Sequence, residues 1–168
     1  MPVILPYKGV KPVIDPSAFI APNATIVGDV YIGPECGIWY GCVIRGDVSH
    51  IRIGARSNVQ DGTVIHCTET PNTPTIIGEN VTIGHQAMLH ACTLEDRSFI
   101  GMSTTILDKA VVESGGMLAA GAMLTSGKHI LKGELWAGNP AKFFRPMTEA
   151  ETAFIAISAD NYVRFSRE

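Results

Sequence analysis

The segment TIGHQAMLHAC, Thr82 to Cys92, holds two of the chain's five histidines, His85 and His90, five residues apart. Imidazole is a common metal ligand, so shared coordination is the first chemistry to consider. On a helix the spacing is poor for one ion, because neighbours on a face stand three or four residues apart. On a strand it is worse, since an odd offset sends the two side chains to opposite faces. Either the pair carries no chemistry, or the backbone here is neither an ordinary helix nor an ordinary strand.

The chain of 168 residues is long enough for one domain with a core and short for two. A net charge of -3 and a pI near 5.9 leave no basic footprint, which argues against nucleic acid as a partner. No run of 18 apolar residues exists, so no ordinary membrane-spanning helix is expected. The first residues, MPVILPYKGVKPVID, lack a cationic segment leading into an apolar one, and the expectation is a cytoplasmic protein without a secretory signal. Cys36 and Cys42 stand six apart and read as small core thiols, not as part of a disulfide set.

Six is also the period of the chain. Aliphatic residues recur at Ile20, Ile26, Ile32, Ile38 and Ile44, then at Ile53, Val59 and Ile65, then at Ile77, Ile83 and Leu89. After a step of five to Leu94 the series continues through Ile100, Ile106, Val112, Leu118, Leu124 and Ile130. A small residue follows most of these four positions on, as at Ala24, Cys36, Cys42, Ser57, Thr63 and Ala87. Between the anchors come Gly, Asn and Asp, in IGPEC, IGEN and VGD, which accept turn conformations that β-branched residues refuse. The pattern predicts a solenoid of short strands and tight corners, each coil stacked about 4.8 Å above the last.

The tail RPMTEAETAFIAISADNYVRFSRE departs from the period. Thr148 with Glu151 is a capping-box signature, and Phe154, Ile157, Asn161 and Phe165 have helical spacing. The expected organisation is a solenoid with its lead-in over residues 1–145, then a terminal helix within 146–168 lying along a flank and one open edge.

The register then places the histidines. Three extra residues between Ile44 and Ile53 and the loop CTETPNTPT between Ile65 and Ile77 read as bulges within single hexads, which puts Ile44, Ile65 and Leu89 on one face in successive coils. The residues after them, Arg45, His66 and His90, should point outward and stack, with the two histidines about 5 Å apart at their backbones. By the same count Val59 and Ile83 share the preceding face, so Asp61 lies beneath His85 and Gln60 beneath Gly84. His85 then projects from a different side than His90 and should not reach the same ion within one chain. A neighbouring copy would supply its His85 at the seam and complete a three-histidine site. Three histidines with an open fourth position suit catalytic zinc.

The solenoid pattern resembles the hexapeptide-repeat proteins, which wind as a left-handed parallel β-helix of triangular section, three hexads to the coil. The combination of RGD at Arg45 to Asp47, NVQDG at Asn58 to Gly62, IHCTE with His66, and GHQAMLHAC with His85 and His90 resembles the γ-class carbonic anhydrase family. That resemblance spans essentially the whole chain. It implies zinc-dependent reversible hydration of carbon dioxide to bicarbonate by a homotrimer, with His66 and His90 from one subunit and His85 from the next. Iron(II) or cobalt(II) would also suit imidazole ligands. The resemblance further implies an ion pair of Arg45 with Asp47 near the interface. Gln60 and Asp61 would hold the reacting water and the subunit contact. Bound zinc lowers the pKa of its water from 15.7 to roughly 7, which makes hydroxide available at neutral pH.

For proton export the resemblance implies Glu69, three residues after His66, while Val48 occupies a second position that is acidic in fuller relatives. Tyr162 matches a tyrosine that relatives bring toward the metal; the alternative is a core anchor for the helix. His50 and His129 read as surface residues, and the Cys67 thiol is expected to face away from the ligands. The rival function is a hexapeptide acyltransferase or thioesterase acting on coenzyme A esters, to which LWAGNPAKFFRP also conforms. A third is a metal-holding homologue with little or no catalysis, consistent with the thinned acid positions.

Overall fold

The aliphatic anchors occupy strands that are mostly two or three residues long, joined by tight turns, and they stack in three parallel ladders. The computed structural model describes residues 1–69 and 73–168. One face carries Ile20, Ile38, Val59, Ile83, Ile100, Leu118 and Trp136 in direct register. A second carries Ile26, Ile44, Ile65, Leu89, Ile106 and Leu124. The third runs through Ile14, Ile32, Ile53, Ile77, Leu94, Val112 and Ile130. Together they form a left-handed parallel β-helix whose core is this aliphatic column, with Cys36, Cys42, Cys67 and Cys92 among its fully buried fillers.

The extra residues between Ile44 and Ile53 are absorbed in the long strand Val43–Ile53, where pairing with Thr25–Ile32 shifts register between Gly28 and Val30. The corners are less dependent on Gly and Asn than the sequence pattern predicts. Glu35, Arg56, Gln86, Arg97 and Lys109 all adopt positive φ, between 55° and 61°. The strain of a left-handed residue, about 1–2 kcal/mol, is offset by hydrogen bonds to the coil below: the N–H groups of Arg56, Gln86, Arg97 and Lys109 bond the carbonyls of Pro34, Asp61, Glu79 and Ala91 at 2.7–2.8 Å, and that of Glu35 bonds the Ser17 hydroxyl at 3.0 Å. Where backbones approach most closely only glycine fits. A Cβ on Gly54 would stand 2.6 Å from the Gly78 carbonyl carbon of the next coil.

The solenoid does not end in a parallel coil. Strand Lys142–Pro146 folds back antiparallel on Glu134–Ala137 and covers the last edge. The chain then enters helix α1, Glu149–Phe165, through the expected capping box of Thr148 and Glu151. Arg145 grips the same Glu151 carboxylate with two 2.8 Å hydrogen bonds.

Helix α1 runs along the Ile20 face, where Ser158 bonds Thr82. Its buried residues are Ile155, Ser158, Ala159 and Val163, whereas Phe154, Ile157 and Phe165 remain 41–53% exposed. Small side chains let the helix lie close on the ladder, and larger rings fit only at its margins, as Phe154 does against Phe99 at 5.9 Å.

Arg145, and then the Thr148 amide, hold the Glu151 carboxyl down at about 2. A depressed carboxylate stabilises the fold above its unfolded pKa, near 4.3, and loses that contribution as pH falls through the folded value. The melting temperature of Glu151→Gln should therefore lie below wild type at neutral pH, with the gap closing between about pH 4 and pH 2. A gap independent of pH in thermal melts followed by circular dichroism would show that the charge is not what holds the helix start.

Candidate metal centre

His66 ends strand Val64–His66 and His90 ends Met88–His90, and the two are direct register partners one coil apart. Their ring centroids are 5.2 Å apart. Each ring commits one nitrogen to a carboxylate: His66 Nε2 lies 2.8 Å from Asp47 Oδ1, and His90 Nδ1 lies 2.6 Å from Asp108 Oδ1. A carboxylate accepts, so those nitrogens carry the protons. The two remaining nitrogens, His66 Nδ1 and His90 Nε2, face each other at 3.2 Å. In neutral rings that brings two lone pairs together, an arrangement that calls for a proton or a cation between them. Tetrahedral bonds of about 2.0–2.1 Å to zinc would set two nitrogen ligands roughly 3.3 Å apart, so the donor set fits such an ion.

The acids are themselves held. Burial alone would raise the Asp47 carboxyl, but hydrogen bonds from His66 and Arg45 outweigh it and keep it below the ordinary carboxylate range. Asp108 behaves alike, its burial outweighed by bonds from His90 and Thr68. Arg45 is half-exposed and turns its guanidinium onto Asp47. Asp108 was not among the residues expected from the sequence, yet it stands 18 residues after His90. The coil count that joined His66 to His90 also reaches it.

His85 is on another side. It follows Ile83 on the Ile20 face, with Nδ1 2.8 Å from Asp61 Oδ2, so it too has one nitrogen on a carboxylate and, among the described residues, one without a hydrogen-bond partner. It lines an apolar cleft of about 480 Å³ with Gln60, Phe99, Met102, Phe154 and Tyr162, between helix α1 and the edge of the ladder. Carboxylate pairing alone does not mark a metal site, since His129 also pairs with Glu113, at 3.1 Å. What distinguishes His66 and His90 is the pair of facing nitrogens.

Gln60 is buried beside His85, its amide nitrogen 3.1 Å from Asn58 Oδ1. Tyr162 packs edge-on against Trp39 at 5.6 Å and Phe165 at 5.8 Å. Its hydroxyl is pushed up by burial and then by the Asp61 charge, and the residue borders the His85 cleft. Glu69 is exposed at the root of the loop whose residues 70–72 lie outside those described. Cys67 does not turn fully away: though buried in the core, its sulfur lies within 4.8 Å of ligand atoms on Asp47 and His66 and 3.8 Å from the Arg45 carbonyl oxygen.

Residues 11–46 match the family model of the bacterial transferase hexapeptide (six repeats). Gamma carbonic anhydrase 1, mitochondrial, of Arabidopsis thaliana is 52% identical over 90% of this chain. The chain spans only 56% of that plant protein's length. The carbonic anhydrase of Geobacillus kaustophilus is 46% identical, over 88% of this chain and 80% of its own. The chain belongs to the γ-class carbonic anhydrase-like family of hexapeptide-repeat proteins. A crystal structure of a hexapeptide transferase family protein from Anaplasma phagocytophilum has the same fold, with a TM-score of 0.94 and 53% identity over 98% of this chain and 96% of that one. Among γ-class-like chains, this one therefore has close kin under both a lyase and a transferase description, and the site chemistry must separate them.

The carboxylate contacts dictate tautomers. Long-range proton–nitrogen spectra of metal-free protein at mildly alkaline pH should show His85 and His90 protonated on Nδ1 and His66 on Nε2. The opposite tautomer at His66 would mean that Asp47 does not hold its ring as described.

Proposed function

We propose that the chain is a zinc-dependent carbonic anhydrase that reversibly hydrates carbon dioxide, its metal held by His66 and His90 of one copy and His85 of a second, in a homotrimer. The facing nitrogens of His66 and His90 carry this reading. The sharing is supported by the placement of His85, paired with Asp61, beside Gln60 and Tyr162 on a separate cleft. Each copy then presents one half-site on each of two surfaces, a head-to-tail arrangement that must close into a ring. When bound, zinc supplies a hydroxide nucleophile at neutral pH by lowering the pKa of water; iron or cobalt would serve similarly.

Within that frame the chain's groups have separate tasks. Asp47, Asp108 and Asp61 each take one imidazole N–H and aim the other nitrogen, as outer-shell carboxylates do around histidine ligands. Gln60 holds the reacting water by hydrogen bonding, and Tyr162 walls the cleft. Arg45 and Asp47 brace the seam. Glu69, exposed beside the His66 strand, passes the proton to buffer. A cytoplasmic location goes with this reading, on the four buried free thiols.

The rival, acyl transfer or thioester hydrolysis on coenzyme A esters, has the apolar cleft in its favour. It needs no three converging histidines, and acetyl-coenzyme A turnover by metal-stripped protein would establish it.

His90→Ala should purify with less than about a tenth of the zinc of wild type, since it leaves only two of the three protein ligands a catalytic zinc site uses; full, tightly held metal in this variant would overturn the assignment. Sharing has its own test. His85→Ala and His66→Ala should each fail to hold zinc, while co-refolded mixtures recover part of it and sediment as trimers. A metal-loaded monomer by light scattering would refute the shared site.

Turnover should be limited by proton export. A carboxylate is in general a much weaker base than imidazole at neutral pH, so added imidazole should raise kcat and leave kcat/KM nearly unchanged. Glu69→Ala should lower kcat about tenfold or more at low buffer and be rescued in part by imidazole. An unaltered kcat would leave Glu69 a solvated loop residue.

A further inference from the structure

The last coil and the strand that closes it collect positive charge and bare rings at one end of the prism. Residues 128–145 carry four cations, Lys128, Lys132, Lys142 and Arg145, against one acid, Glu134, in a chain whose net charge is -3. The acids of this region are already engaged. Glu134 accepts from the Leu131 amide and the Trp136 indole, Glu151 from Arg145, and Glu113 from the Lys132 amide while pairing with His129. Lys128, Lys132 and Lys142 are exposed, and among the described residues none has an acid partner for its ammonium group. Leu131, Phe143 and Phe144 are 48–65% exposed. Lys128, Lys142, Trp136 and Phe143 line one cavity of about 410 Å³, so charge and rings meet at one place. Lysine is depleted at protein–protein interfaces. Apolar tips ringed by unpaired lysines suit a lipid surface, where the tips enter the acyl boundary and the ammonium groups stay among phosphates.

We infer that this end of the molecule docks on a bilayer bearing anionic phospholipid, and that three copies do so together. The second part rests on the proposed ring. His85 and His90 belong to one coil, the one that contains strands Thr82–Ile83 and Met88–His90, so the two half-sites stand at the same height on the prism. Copies that join them at one height lie side by side and point the same way, which sets three basic, aromatic ends in one plane. One end, with three apolar side chains and three unpaired lysines, grips a bilayer weakly. Three on a closed ring bind as a unit, and effective concentration strengthens the grip by orders of magnitude without a new contact. Among the described residues no helix is long and apolar enough to cross a bilayer, so the contact is with its surface. The opposite end supplies an internal control, since Lys8, over the Tyr7 ring at 5.4 Å, and Lys11 lie in the lead-in.

The test is co-sedimentation of zinc-loaded protein with vesicles of phosphatidylcholine, alone or with about a third phosphatidylglycerol, with light scattering on the same samples. Expected is partition about tenfold stronger or more onto the anionic vesicles, weakening as salt screens the charge. Phe143→Ser with Phe144→Ser, and Lys128→Gln with Lys142→Gln, should each lower that partition about tenfold at unchanged circular dichroism. Lys8→Gln with Lys11→Gln should leave it as in wild type. Should the serine pair unfold, the lysine pair alone decides. Equal partition onto both kinds of vesicle, or full binding by the lysine pair, would overturn the docking surface. A trimer that binds neither kind would overturn it and leave the ring standing. A monomer that binds anionic vesicles, and loses them in the lysine pair, would overturn the ring and the joint docking while upholding the surface.

Discussion

Each coil lies one strand spacing, about 4.8 Å, above the one before, and everything that distinguishes the site follows from that constraint. Backbone hydrogen bonds between coils hold Ile44, Ile65 and Leu89 in one column. Because the column is fixed, His66 and His90, next to two of its members, have no choice but to stack. The spacing is also about what two imidazoles need to direct one nitrogen each at a common point. A sheet with a sliding register would send one of the rings inward and lose the pair.

The same stacking brings acids to the histidines. Asp108 arrives one coil after His90 and Asp61 one coil before His85, while Asp47 reaches His66 from the bulged strand Val43–Ile53. Each carboxylate takes one ring nitrogen out of play and aims the other. Since the acids are held low by hydrogen bonds in spite of partial burial, Asp47 and Asp108 stay ionised, and their charge favours a cation between the rings.

A triangular prism also divides the groups among its sides. The pair of His66 and His90 belongs to the corner that follows the Ile65 column, whereas His85, Gln60 and Asp61 follow the Ile83 and Val59 column. Helix α1 settles on that second side and contributes Ser158 and Tyr162. One copy alone therefore carries two incomplete surfaces of complementary content, which is the physical basis for proposing a shared site.

The ladder partners, the corner positions and the stacking of His66 on His90 were legible in the sequence, because a strict period of six is one-dimensional information and coil counting converts it into contacts. Asp108 was legible by the same count and was passed over. The side of helix α1 that docks was not: Phe154, Ile157 and Phe165 look like an apolar stripe, yet Ile155, Ser158, Ala159 and Val163 are what the ladder buries. Only close packing on a flat column of strands favours small residues over large ones there. Nor could the period show which imidazole nitrogen faces which, that Asp47 comes close to Cys67, or that Ser158 of the helix bonds Thr82. Those depend on rotamers and on contacts between residues as far apart as Thr82 and Ser158, which are decided when the helix and the coils are packed together.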